Sequence, residues 1–216
     1  MLVAAAVCPP TPLVVQVMPD LRSACHTAIA ALRAARPDAL LVVGGAETTT
    51  AYDATAAGTL RPWGLDHTTG PGEPVLPLSL TVARLLMNDA PDGFQSVASD
   101  ATTDECRELG EELGKSADRV ALLVMADGSA CLSPRAPGRY DDAAGPYNDR
   151  IGRAVADGDP AALAALDPGE ADRLWVGGRA ALQVLAGAAG AGTFEGRLLM
   201  AAAPYGVGYL AGLWTT

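Results

Sequence analysis

Lysine is nearly missing from this chain. Lys115 is the only one, and arginine supplies the rest of the 15 basic side chains, set against 25 carboxylates for a net charge of −10. Such a chain repels phosphate backbones and anionic lipid, which argues against nucleic-acid and membrane-surface partners. With so much alanine, the arginine usage reads as a coding bias. Histidine is also scarce: only His26 and His67 are present. The four cysteines, Cys8, Cys25, Cys106 and Cys131, form no C-x-x-C pair and match no zinc-ribbon spacing. Scattered in this way, they fit a reducing cytoplasm, where cysteine acts as a small buried hydrophobe. No uninterrupted apolar run of membrane-spanning length occurs. The apolar start, MLVAAAVCPPTPLVVQ, lacks a basic leader and is broken by prolines, so it reads as a buried strand rather than a signal peptide. No G-x-G-x-x-G, P-loop, G-x-S-x-G or H-E-x-x-H motif appears.

What is present is apolar pattern. Half of the 216 residues are hydrophobic, enough to bury one sizeable core. Leu2 to Val7 reads as a buried strand. Pro19-Asp20 opens a helix with Leu21, Cys25, Ala28, Ile29 and Leu32 on its apolar stripe, and Pro37 ends it. Ala39 to Val43 is the second buried strand, stopped at Gly44-Gly45. This β-α-β order predicts parallel strands. Ala46 to Pro74 reads as a long loop, of a kind that often marks function. Val75 to Leu78 is a candidate short strand, and Ser79 a cap for a helix through Met87. Phe94 to Ala98 and Arg119 to Met125 are strands, and between them Thr102 and Glu105 form a capping box for a helix ending near Lys115. After a second polar loop, Ala126 to Pro146, helical segments run over Tyr147–Ala156, Pro160–Leu166 and Gly169–Ala188, with a break at Gly177-Gly178. Arg197 to Ala203 and Val207 to Leu213 read as a hairpin or as two sheet strands. No repeat or linker divides the chain, so residues 1–216 are expected to form a single α/β domain.

Open α/β sheets bind ligands at the carboxyl ends of their strands. That rule selects Cys8-Pro9-Pro10-Thr11, Gly44-Gly45-Ala46-Glu47, Asp127-Gly128-Ser129-Ala130-Cys131 and the turn at Tyr205-Gly206. Asp127 and Ser129 read either as a carboxylate and hydroxyl presented to a pocket or as turn chemistry. His67, beside Asp66 in the first long loop, is a candidate acid or base; a lone loop histidine is more often simply solvated. His26 falls off its helix's apolar stripe and reads as a surface residue. Cys8 and Cys131 are candidate nucleophiles or ligands. Arg135, Arg139, Tyr140, Asp141, Asp142, Tyr147 and Asn148 read either as pocket lining or as intraloop hydrogen bonding.

These strand ends carry a resemblance. VCPPTPLVV, ALLVMADGSACLSPRAPGRYDDAAGPYNDRI and AAAPYGVGYLAGLW resemble the LigB-like superfamily of class III extradiol ring-cleavage dioxygenases, which includes the Memo proteins. The resemblance covers nearly the whole chain. It implies a three-layer α/β/α fold with a mostly parallel central sheet. It also implies non-haem iron(II), or zinc, held by two histidines and a carboxylate, with a further histidine as acid and base. The expected ligand histidines fall near Pro10 and in Gly44-Gly45-Ala46, and the catalytic histidine near Leu132, and no histidine stands at any of them. Glu47 and Glu195 are the carboxylates at hand, neither in a recognisable context. The resemblance therefore implies the fold without its metal ligands, and no cofactor is predicted. Three readings follow. The first is a divergent protein that binds a small ligand in the ancestral cleft without iron-dependent ring cleavage, through Pro10, Thr11, Gly44, Gly45, Glu47, Cys131, Arg135, Tyr140 and Tyr205. The second is an enzyme with a rebuilt site using Asp127, Ser129 and His67. The third is an oligomeric interaction protein, with a homo-oligomer formed through the apolar C-terminal strands.

Overall fold

The computed structural model describes residues 1–216. Its principal sheet is built from β1 (Leu2–Cys8), β2 (Ala39–Ala46), β3 (Thr50–Asp53), β6 (Gly93–Ala98), β7 (Val120–Met125), β8 (Glu195–Ala202) and β9 (Tyr209–Thr215). A small hairpin pairs β4 (Gly58–Thr59) with β5 (Thr68–Thr69). The helices are α1 (Leu13–Gln16), α2 (Pro19–Ala34), α3 (Leu78–Leu86), α4 (Thr103–Gly114), α5 (Ala144–Asp157), α6 (Pro160–Ala164), α7 (Pro168–Arg173) and α8 (Arg179–Ala189).

The sheet order is β3-β6-β2-β7-β1-β9-β8. The central strands β6, β2, β7 and β1 are mutually parallel; β3 on one flank and β9 on the other run antiparallel to them, and β8, antiparallel to β9, again runs with the centre. The central strands are uniformly apolar because both faces are covered. Along β7, Val120, Leu122 and Val124 join one core with residues of α4 to α8. Ala121, Leu123 and Met125 join the other, with α1, α2 and α3. The result is an α/β fold of three layers with a mostly parallel centre. In β1 the register slips between Leu2 and Ala4. Val3 is thus an extra residue, which puts Leu2 and Ala5 on the same face despite their odd spacing.

Local chemistry sets the helix boundaries. At α4 the Thr102 hydroxyl accepts from the Glu105 amide at 3.2 Å, and Glu105 accepts in return from the Thr102 amide at 2.8 Å, completing the expected capping box. Asp159 and Asp167 cap α6 and α7, each followed by proline at the first helical position. The structure corrects several expectations. The segment 46–74 is not a structureless loop: it holds β3, the β4–β5 hairpin and a 3₁₀ turn. Val75 to Leu78 is not a strand; Leu78 already starts α3, and Ser79 does not cap it but donates to Gly45 O at 2.8 Å. Other expectations hold: the span Gly169–Ala188 divides into α7 and α8 at a turn that contains the expected break at Gly177-Gly178. The two C-terminal segments are, as expected, sheet strands: β8 and β9 are adjacent and antiparallel in the main sheet. No helix is long and apolar enough to cross a membrane.

Helices α4 and α8 meet backbone to backbone: a methyl on Gly110 would collide with the backbone of Val184, Gly187 and Ala188. Gly110→Ala should therefore destabilise the protein by about 1–3 kcal/mol, despite alanine's better helix propensity, because neither backbone can yield. Urea denaturation measures this directly.

Candidate functional site

The parallel strands end together, at Cys8, Ala46, Ala98 and Met125. From β2 the chain turns over the end of β6 into β3 and then returns to β6 through α3, on one face of the sheet. From β7 it leaves across the opposite layer towards β8. The two connections diverge, so the crevice at a topological switch point lies between the ends of β2 and β7. Gly45 stands on one side and Asp127 on the other.

Asp127 is half-buried as a residue, but its Oδ1 is sealed from solvent and has no hydrogen-bond partner. Burial raises its carboxyl from 3.8 to about 7; a bond from its own backbone amide opposes this only weakly. The α7–α8 turn lies over it. Gly178 N donates to Asp127 O at 3.2 Å, and a methyl on Gly177 would sit 2.9 Å from Asp127 Oδ1. Gly177 O in turn lies 3.3 Å from where a methyl on Gly45 would project. Tyr209 completes the group from β9. Burial pushes its phenol up, Thr11 beside it pulls the other way, and Asp127 and Tyr205 each add a smaller upward push. Thr11, Asp127, Tyr205 and Tyr209 therefore share one electrostatic neighbourhood.

Other sequence candidates lie elsewhere or are already engaged. Ser129 is fully buried; its hydroxyl donates to Leu174 O at 2.6 Å and accepts from Cys131 N at 3.0 Å, so it supports the backbone. His67 is exposed on the β4–β5 hairpin, which packs on α3, and the Asp66 beside it pairs with Arg61. His26 is exposed on α2. All four cysteines are buried and free. The Cys25 thiol and burial hold the Cys8 thiol protonated, well above its ordinary value. Pro10 is half-buried at the strand end. Gly44 is packed under α3, where a methyl would meet Ser79 Oγ at 2.6 Å. Glu47, Arg135, Tyr140 and Tyr205 are exposed, and Tyr140 is drawn to Asp142, which raises its phenol. In the second loop, Asp141 pairs with Arg173, and the buried Tyr147 donates to Asp167 O at 3.2 Å. Much of this cluster is loop-bracing.

Asn148, read from the sequence as pocket lining or loop bracing, has its Oδ1 buried and unpaired where the backbones of Gly128 and Gly208 come together. One group escaped the sequence reading. Arg179 is a buried guanidinium held by carbonyls rather than carboxylates: Nη1 donates to Ala101 O and, at 3.1 Å, to Gln183 Oε1, and Nη2 to Ser99 O at 2.7 Å. An arginine and a glutamine one helical turn apart on an otherwise apolar helix were the available signal.

Nowhere does the chain bring together three histidine, cysteine or acidic side chains that could hold a metal ion. At the crevice, Asp127 has glycine, threonine and tyrosine as neighbours, a donor set that does not fit non-haem iron.

An aspartate whose folded pKa is raised holds its proton more tightly folded than unfolded. Its contribution favours the fold at low pH and is lost as pH rises from the unfolded value towards 7. Asp127→Asn removes that loss. The variant's stability relative to wild type should therefore grow between about pH 4 and 7, by up to a few kcal/mol, and then level off. Urea melts across this range check the sign.

No family model and no curated protein matches this chain. Among solved structures, it is similar to the uncharacterized protein JW3007 from Escherichia coli K12, with a TM-score of 0.54, 14% sequence identity, and 98% of this chain and 99% of that one covered. At that identity the likeness speaks for the α/β architecture alone.

Proposed function

We propose that this chain is a divergent relative of the class III extradiol dioxygenases that binds a small molecule at its strand-end crevice without iron-dependent ring cleavage. One observation carries the reading: a buried carboxylate oxygen at the topological switch point has no partner from the protein. An acceptor left unsatisfied in this way costs stability, and a hydrogen-bond donor on a ligand relieves the cost. The crevice offers Thr11 and Tyr209 as further polar contacts and no imidazole. The ligand is therefore a neutral or cationic donor rather than a catecholate awaiting a metal.

The carboxyl's position near 7 also favours a second reading, in which Asp127 acts as general acid or base on the bound molecule. Ser129 and His67 are not its partners in that chemistry, because one is spent on the backbone and the other lies on the hairpin.

Ligand-observed NMR with a fragment library of neutral and cationic donors tests the proposal. Fragments should bind the wild type and weaken at least about tenfold in Asp127→Asn. Hits indifferent to that substitution, or stoichiometric iron or zinc in protein purified without chelator, would contradict it.

A further inference from the structure

Beside the crevice, between the end of β6 and the α7–α8 turn, lies a cleft of about 420 Å³ walled by Ser99, Asp172, Trp175, Gly177 and Arg179. Its most unusual wall is Trp175. After α7, the Trp175 amide donates to Asp172 O at 3.0 Å and the Val176 amide to Ala171 O at 2.9 Å, a Schellman turn. Trp175 occupies the left-handed position of that turn, at φ 51°, where glycine is the usual residue. The backbone thus carries an unfavourable conformation with an indole that is 59% exposed.

The charge of the cleft is set by what is already paired. Arg179 is its only cation, and both Nη atoms are engaged by Ala101 O, Gln183 Oε1 and Ser99 O. Asp172 is exposed and enters none of the ion pairs formed by its neighbours; Arg173 pairs with Asp141, and Arg150 with Glu170. The cleft therefore offers one flat aromatic face and one free carboxylate. A cation over an indole gains from the ring's negative face, and planar nitrogen cations match a carboxylate with paired N–H donors.

We propose that this cleft binds a small planar organic cation, of the amidinium or guanidinium class, stacked on Trp175 with its N–H groups directed to Asp172. Asp127 is not part of this wall, so the inference stands apart from the reading of the crevice.

Benzamidinium and benzoate have the same shape and opposite charge, and both can be titrated into the full chain while indole N–H signals are followed by NMR. The chain has three tryptophans, and Trp175→Gly identifies the signal of Trp175 by its loss; glycine suits the left-handed backbone, so that variant folds. Benzamidinium should shift the Trp175 signal saturably, with benzoate at least about tenfold weaker. Asp172→Asn should weaken benzamidinium about fivefold or more. In Trp175→Gly the saturable shift of the Gly177 amide should disappear. Benzoate binding as tightly as benzamidinium, a Trp175 signal that does not respond, or Gly177 shifts that survive in Trp175→Gly would each overturn the proposal.

Discussion

The end of β7 is clasped from both sides by backbone hydrogen bonds, and the candidate site depends on that clasp. On one side, Gly128 N donates to Gly208 O at 2.6 Å and Gly208 N to Ser129 O at 2.8 Å, fastening the turn between β8 and β9. On the other, Ala130 N donates to Trp175 O and Gly178 N to Asp127 O, each at 3.2 Å, fastening the α7–α8 turn. These bonds tie the segment after β7 to both neighbouring turns through its backbone groups. Asp127 lies within it, so its carboxyl is covered by backbone, with no opposing charge beside it and no donor but its own amide. The elevated proton affinity and the unsatisfied oxygen both follow from that covering. The same clasp sets the start of α8, where Arg179 secures the loop after β6, and it places Trp175 at the wall of the neighbouring cleft.

Much of the scaffold was legible in the residues. Uninterrupted apolar runs marked β1, β2 and β7 because both sheet faces are covered, and the Thr102–Glu105 pair marked the start of α4 because its chemistry is local. The segment 46–74 was not legible. Two-residue strands such as β4 and β5 are too short to show a period, and their pairing depends on packing against α3. Ser79 looked like a cap by type, but tertiary contact decided otherwise and turned its hydroxyl towards Gly45.

The site was legible as an edge but not as a set of roles. The rule of strand ends selected Thr11, Gly45, Asp127 and Tyr205, and the fold brings Thr11, Asp127 and Tyr205 around Tyr209. It could not separate Asp127 from Ser129, two residues apart, because only the hydrogen bonds show that one is satisfied and the other is not. Nor could composition reveal that Arg179 is buried on carbonyls, or that a tryptophan occupies a turn position suited to glycine.

At the crevice, Asp127 is a sealed carboxyl that keeps its proton up to near neutrality. Carbon-13 NMR of the labelled aspartate carboxyls across pH, with Asp127 assigned by its loss in Asp127→Asn, reads its titration directly. A midpoint near 7 is the expected result; a midpoint in the ordinary aspartate range, at about 4, would contradict it.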